Sequence, residues 1–191
     1  LNAFKSTPSE VAELASMSME LISMDGWHLF FDNDEELKRA KISQLEGVIG
    51  TLPWIATIDA FQHWIYTNPN HTIAERTENW LKISGRFSAN LVDFTGYESN
   101  KENSWQRQLH LYEVPFYYIE YGFAQLGAIA LWKRYKEDKK AGIEGYKVFM
   151  KLGYTASIPE IYEAAGIKFD FSPSYVKDLF DFLQSELAEL K

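Results

Sequence analysis

The chain has 191 residues, of which 46% are hydrophobic and 16% aromatic, a composition that excludes intrinsic disorder and allows one substantial core. Its formal net charge of −8 argues against a nucleic-acid partner. It has no cysteine, which excludes disulfides and cysteine metal sites and fits a cytoplasmic protein. The sequence shows no signal peptide and no long apolar run, so we expect no membrane partner. From the length and composition we expect one helical domain over residues 1–191.

The first predicted helix covers residues 7–25. Thr7 is the expected N-cap, Pro8 suits the first helical position, and Glu10 completes a capping box. Gly26 is expected to end this helix, since glycine is the commonest residue just after a helix C-terminus.

A second helix begins at the polar run 32–35, where acidic residues meet the positive end of the helix dipole. Its apolar pattern continues past Pro53, which predicts one long kinked helix or two abutting helices. Thr72 and Glu75 form the capping box of a third helix, which is expected to end near Val92.

The polar segment 93–104 is predicted to be a loop, and a helix is predicted over 113–136. Gly142 and Gly145 are expected to break the helical pattern that follows. No strand of convincing length appears, so the predicted class is all-α. Two more helix starts are indicated where a serine cap is followed closely by a proline, at 157–160 and at 172–173.

Helix 7–25 carries small or apolar residues on nearly every side, which predicts burial. Yet Glu10, Glu13 and Glu20 fall in one narrow stripe, because offsets of three and seven residues share a helical face. A buried carboxylate needs a cation, a metal or a proton. Pairing with arginine or lysine and binding of a metal therefore both remain open.

The segment 110–132 is the second unusual feature. Tyr117, Tyr118 and Tyr121 are spaced to share one edge of a helix, and His110 lies just upstream. A phenol can donate a hydrogen bond to a developing oxyanion, and a histidine can do the same or hold the substrate. The alternative is an aromatic stripe packed in a core. Small residues opposite the tyrosines would let another helix approach closely: Gly122, Ala124, Gly127, Ala128 and Ala130.

A complete zinc-protease site is excluded for this chain alone. The sequence contains no His-Glu-x-x-His motif and no pair of histidines four residues apart. His63 is interpreted as a core residue, while His28 and His71 are placed in a loop and after a turn.

Residues 8–21, which read PSEVAELASMSMEL, resemble the third-ligand helix of the oligoendopeptidase F branch of the thimet oligopeptidase family of zinc metallopeptidases. The resemblance implies the multi-helix C-terminal part of a zincin-like helical oligopeptidase. It also implies that the two histidine ligands of Zn²⁺ and the general base lie upstream, outside this chain. Glu13 matches the glutamate ligand of the metal, and Glu20 matches an acidic position suited to orienting a ligand histidine.

Residues 105–122 are similar to the substrate-binding element of the same family. The resemblance implies catalytic roles for His110, Tyr118 and Tyr121 and a substrate-binding role for Tyr117. Tyr121 is the first choice for the oxyanion donor, and the assignment among the three tyrosines stays open.

The resemblance therefore implies a zinc metalloendopeptidase that hydrolyses short peptides. We expect this chain to be inactive in isolation, with the upstream part of the same polypeptide as its partner. Two other classes remain open: a non-catalytic helical module that binds a peptide or small molecule, and a structural helical domain with ion-paired glutamates.

Overall fold

The backbone is helical in the part of the chain that the computed structural model describes, residues 7–191. Within that range nine α-helices, two 3₁₀ helices and no strand occur, which confirms the all-α class. The 3₁₀ helices are Met24–Leu29 and Ser104–Arg107. The α-helices are α1 (Ser9–Ser23), α2 (Asp34–Thr67), α3 (Ile73–Phe87), α4 (Glu98–Glu102), α5 (His110–Glu113), α6 (Ile119–Glu137), α7 (Lys139–Leu152), α8 (Ile158–Ala164) and α9 (Pro173–Leu190).

The chain divides into two compact units. The described part of the first unit comprises residues 7–49 and Phe123–Lys191, and the second unit is Gly50–Gly122. Helices α2 and α6 contribute residues to both. The single domain expected for residues 1–191 stays a prediction. None of the described helices is both long and apolar enough to cross a membrane.

The predicted start of the first helix is wrong in its capping residue. Pro8 is the N-cap of α1, and no side-chain hydrogen bond caps the helix. The carbonyl oxygen of Pro8 instead accepts two backbone hydrogen bonds of 3.0 Å from the first turn. Thr7 and Glu10 therefore form no capping box. Gly26 does not end the helical path either, because the chain continues in the 3₁₀ helix Met24–Leu29.

The next two helices begin as predicted. Helix α2 is a single helix with Pro53 inside it. The capping box of α3 is confirmed: the Thr72 hydroxyl accepts from the backbone N–H of Glu75 at 3.2 Å, and the Glu75 carboxylate accepts from the backbone N–H of Thr72 at 2.7 Å. Local sequence is sufficient for such a start, because both hydrogen bonds span only three residues. Serine caps also begin α8 and α9, as predicted.

The region after α3 differs from the prediction. The helix ends at Phe87 and does not reach Val92. Asn90 adopts a positive φ of 51°, a left-handed conformation that cannot continue a right-handed helix. The segment 93–104 is not all loop, since it contains α4, Glu98–Glu102.

The glycines of α7 do not interrupt the helix, contrary to the prediction. Gly142 and Gly145 lie inside α7 and are buried. A Cβ atom on Gly142 would lie 2.5 Å from the Cα of Tyr135, and one on Gly145 would overlap the carbonyl oxygen of Ala165. These glycines are therefore contact positions, where the absence of a side chain lets α7 approach the neighbouring backbone.

The small residues of α6 permit the close packing that the sequence suggested. A Cβ atom on Gly127 would lie 2.6 Å from the ring of Tyr162 and 2.8 Å from the Leu14 side chain. Tyr162 is fully buried, and its hydroxyl donates to the carbonyl oxygen of Phe123 at 3.1 Å. The absence of a side chain at Gly127 thus lets Leu14 of α1 and Tyr162 of α8 pack directly on α6.

We expect Gly145→Ala to lower the free energy of unfolding by about 2 kcal/mol, because the new methyl group would meet the rigid Ala165 backbone. Gly47→Ala is the matched control. Gly47 is an exposed helical glycine with nothing within 4 Å of the added Cβ. This control should raise the free energy of unfolding by roughly 0.5 to 1 kcal/mol. Urea unfolding of both variants measures the difference, and an equal gain in both would contradict the packing role.

Aromatic side chains form the core of the second unit. Phe61 and Trp80 are fully buried with ring centroids 5.0 Å apart, and Trp105 lies 5.5 Å from Phe61. Trp54 meets Trp80 edge to face at 5.9 Å, and the Trp80 indole donates to the carbonyl oxygen of Lys101 at 2.9 Å. Much of the high aromatic content therefore serves packing in this unit.

Candidate functional site

His110 and the three candidate tyrosines form one half-buried cluster in the second unit. His110 begins α5, Tyr117 and Tyr118 precede α6, and Tyr121 lies in the first turn of α6. The His110 ring centroid lies 4.9 Å from that of Tyr118, 5.7 Å from Tyr121 and 6.1 Å from Tyr117. All four residues of the predicted substrate-binding element therefore meet.

The turn before α6 brings the tyrosines together. The predicted helix over 113–136 is wrong in its start, since α6 begins at Ile119. Pro115 disfavours the helical conformation for the residue before it, and Val114 is accordingly non-helical, with φ −138° and ψ 73°. Phe116 then adopts a positive φ of 62°, which is rare for a bulky residue.

The strained backbone of Phe116 is held by contacts of its ring with α2. The ring centroid lies 5.1 Å from that of His63 and 4.8 Å from that of Tyr66. His63 is not the core residue that the sequence suggested. Its side chain is 63% exposed, and Nε2 lies 3.6 Å from a carboxylate oxygen of Asp59. This packing fixes the turn that presents Tyr117 and Tyr118.

Hydrogen bonds hold the His110 ring from its Nδ1 side. The amide nitrogen of Gln108 lies 2.6 Å from Nδ1 of His110, and the indole N–H of Trp54 donates to the amide oxygen of Gln108 at 2.9 Å. The hydroxyl oxygen of Tyr121 lies 3.4 Å from Nε2 of His110. The Arg107 guanidinium packs 4.6 Å from the centre of the Trp54 ring. The imidazole is thus fixed between an amide and a phenol.

Tyr118 is suited to donating a proton in a hydrogen bond. Burial raises the pKa of its phenol above the ordinary value, although the nearby Trp54 indole, Arg107 charge and Gln108 amide oppose this effect. The phenol therefore stays protonated at neutral and moderately alkaline pH. A protonated phenol beside a histidine can stabilise negative charge on a substrate oxygen.

Sequence reasoning missed two residues of this site. Gln108 lies only two positions before His110, so its closeness along the chain could have drawn attention to it. Trp54 is 54 residues away from Gln108 along the chain, and no spacing or motif connects the two.

Helix α1 is not buried on every side, contrary to the prediction. Ala12, Ser16 and Glu20 lie on an exposed face, because α1 packs through only part of its circumference. The Glu20 carboxylate accepts a hydrogen bond of 3.3 Å from the side-chain amide of Gln44. Glu20 is therefore a solvated, hydrogen-bonded group, and it needs no buried counter-ion.

Glu10 and Glu13 are half-buried on the same helix. Neither forms an ion pair with any side chain in residues 7–191, so the pairing with lysine or arginine that the sequence left open is not seen there. A carboxylate is a donor that zinc accepts, so both glutamates fit a metal ligand chemically, and their burial does not distinguish Glu13 from Glu10.

The described part of the chain does not supply a complete metal site. Among residues 7–191, no group of three or more histidine, cysteine, aspartate or glutamate side chains lies close enough together to hold an ion. Zinc sites in enzymes use three protein ligands. Glu13 can thus contribute one ligand only if the others come from elsewhere.

The comparisons with known proteins agree on one family. The model of peptidase family M3 matches residues 2–179. A protein assigned as an oligoendopeptidase F has a similar solved structure, with 29% identity and a TM-score of 0.85 over 98% of this chain. PZ peptidase A, solved with an inhibitor, is 28% identical with a TM-score of 0.83 over 97% of this chain. A protein from Bacillus anthracis str. Ames, also assigned as an oligoendopeptidase F, is 26% identical with a TM-score of 0.75 over 97% of this chain.

This chain corresponds to only part of those proteins. It covers 33% of the first two and 30% of the third. None of the curated proteins compared with the chain is significantly similar to it.

Proposed function

Because this chain belongs to peptidase family M3, we propose that it is the C-terminal part of a zinc-dependent oligopeptidase that hydrolyses short peptides. The family match and the similarity to oligoendopeptidase F structures support peptide hydrolysis. The observation that carries the proposal is the meeting of His110 with Tyr117, Tyr118 and Tyr121. In the complete polypeptide, the two histidine ligands and the general base come from the upstream part. The expected cytoplasmic location stays a prediction.

Glu13 is proposed as the ligand that this chain contributes to zinc. It is half-buried and has no ion-pair partner among residues 7–191. When bound, zinc supplies Lewis-acid activation of the peptide carbonyl and of water. Glu20 lies seven residues later on α1 and is exposed. Its carboxylate is available to accept a hydrogen bond from a ligand histidine and so to orient it.

His110, Tyr118 and Tyr121 are proposed to donate hydrogen bonds to the substrate carbonyl oxygen as it gains negative charge. Such donors act most strongly when they are already oriented before the substrate binds. Tyr117 packs edge to face on Tyr121 at 5.4 Å, which holds the Tyr121 ring and leaves Tyr117 placed to contact the substrate. Tyr121 remains our first choice for the main donor.

A non-catalytic peptide-binding module is the second candidate, and one observation favours it. The second unit contains an apolar pocket of about 400 Å³ lined by Trp54, Trp80 and Leu91 among others. Leu91 is 88% exposed, so an apolar side chain of a bound peptide would cover it. Such a module would bind peptides without cleaving them.

Cleavage of a quenched fluorescent peptide tests the proposal. We expect the complete polypeptide to cleave the peptide, to lose activity in the presence of a chelator and to regain it when Zn²⁺ is added. This chain alone should show no cleavage, because it holds one proposed ligand. If the zinc-loaded complete polypeptide bound the peptide without cleaving it, the binding module would be favoured. Cleavage by this chain alone would overturn the proposal that the catalytic site is shared between this chain and the upstream part of the polypeptide.

A further inference from the structure

Trp54, Gln108 and His110 form a chain of hydrogen bonds in which the chemistry of the indole decides which group donates at each step. An indole N–H can only donate, so the oxygen of the Gln108 side-chain amide must be the atom 2.9 Å from the Trp54 nitrogen. The other end of the same amide, its NH₂ group, then lies 2.6 Å from Nδ1 of His110. The orientation of the amide follows from the indole.

An NH₂ group facing Nδ1 requires a lone pair on that nitrogen. The neutral imidazole of His110 therefore carries its proton on Nε2, because only one ring nitrogen is protonated in the neutral form. Nε2 lies on the side of the ring that faces the Tyr121 hydroxyl, at 3.4 Å. His110 thus presents a donor on the side of the ring that faces the tyrosine.

We propose that Trp54 and Gln108 are positioning residues that hold His110 in the Nε2–H tautomer, so that it acts as a hydrogen-bond donor and not as a base. The guanidinium of Arg107, 4.6 Å from the centre of the Trp54 ring, covers the indole face and helps to hold its direction. The catalytic value of this tautomer rests on the proposed function, while the tautomer itself rests only on the contacts above.

The same unit contains a histidine with the opposite arrangement. Nδ1 of His71 lies 2.6 Å from the carbonyl oxygen of Asn68, which can only accept. The Arg76 side-chain N–H donates to Nε2 of His71 at 2.8 Å. His71 should therefore be an Nδ1–H tautomer, which makes it an internal reference in any measurement on His110.

Nitrogen NMR of the chain labelled with ¹⁵N-histidine tests the proposal, at a pH where imidazoles are neutral. We expect the His110 signals of an Nε2–H tautomer and the His71 signals of an Nδ1–H tautomer in the same spectrum. Loss of signals in His110→Gln assigns the resonances. An Nδ1–H tautomer at His110 would overturn the proposal.

Gln108→Glu reverses the polarity at Nδ1 with little change in shape. A carboxylate only accepts, so His110 should become protonated on Nδ1 while the His71 signals stay unchanged. Trp54→Phe keeps an aromatic ring but removes the indole N–H, so the amide can turn over and His110 should populate both tautomers. Unchanged His110 signals in Gln108→Glu, with intact His71 signals, would refute the positioning role.

The value of the tautomer for catalysis is measured separately in the complete polypeptide. There, Gln108→Glu should lower kcat about 10- to 100-fold with little change in KM, since a histidine in the wrong tautomer keeps its place but loses its function. A reversed tautomer with unchanged kcat would contradict the proposed role of His110 and leave the tautomer assignment standing. The two failures are therefore distinguishable.

Discussion

Glu13→Gln in the complete polypeptide is expected to lower kcat/KM by roughly a thousandfold or more and to reduce the bound zinc. An amide of the same shape has no negative charge and is a poor ligand for a divalent cation. Activation by the metal lowers the activation barrier by several kcal/mol, and each ~1.4 kcal/mol corresponds to a tenfold change in rate. Peptide cleavage and metal analysis of the purified protein measure the two effects.

The neighbouring glutamates provide matched controls for Glu13. Glu10→Gln should keep both zinc and activity, because Glu10 is equally half-buried on α1 but is assigned no ligand role. The activity of Glu20→Gln should lie between those of Glu13→Gln and Glu10→Gln. We expect a loss of about 10- to 100-fold, as for a residue that orients a ligand histidine. Full zinc content and activity in Glu13→Gln would remove the ligand assignment.

Tyr121→Phe should lower kcat by about 100- to 1,000-fold while KM changes little. The variant keeps the ring, and with it the packing against His110 and Tyr117 at 5.7 Å and 5.4 Å. What it loses is a donor to the substrate oxygen, whose contribution is greatest in the transition state. Steady-state kinetics of the complete polypeptide give both constants.

Tyr112→Phe is the control for the loss of a phenol hydroxyl. Tyr112 lies on α5, is 55% exposed and stacks on Trp105 at 6.1 Å, outside the His110 cluster. The Tyr112→Phe variant should leave both kcat and KM unchanged. If Tyr121→Phe instead raised KM and left kcat unchanged, Tyr121 would be a ground-state binding residue and the oxyanion role would pass to Tyr118.

Local sequence was sufficient for several helix starts whose controlling contacts span a few residues, although it failed for the capping box predicted at Thr7 and Glu10. The capping box of Thr72 and Glu75 and the serine caps of α8 and α9 were predicted because each hydrogen bond joins residues three positions apart. The all-α class followed from helical spacing of apolar residues. The tyrosines and His110 were singled out as one group because they lie within 12 residues of one another.

Predictions failed where a contact between distant segments overrode local preference. Gly142 and Gly145 look like helix breakers in sequence, but the contact of α7 with the Tyr135 and Ala165 backbones favours the helix. Helix α1 looks apolar all round, yet the tertiary structure covers only part of it and leaves Glu20 exposed. Burial of a face depends on what packs against it, which no local pattern contains.

The sequence by itself therefore determined the helical class, the starts of α2, α3, α8 and α9, and the identity of the His110 and tyrosine group, because these depend on neighbours along the chain. Only the tertiary structure decided how that group is oriented. The positive φ at Phe116 is held by contacts with α2, and the proton position on His110 follows from Trp54, which lies 56 residues away in the chain. Hydrogen-bond direction depends on which atoms meet in space, and that information is absent from spacing alone.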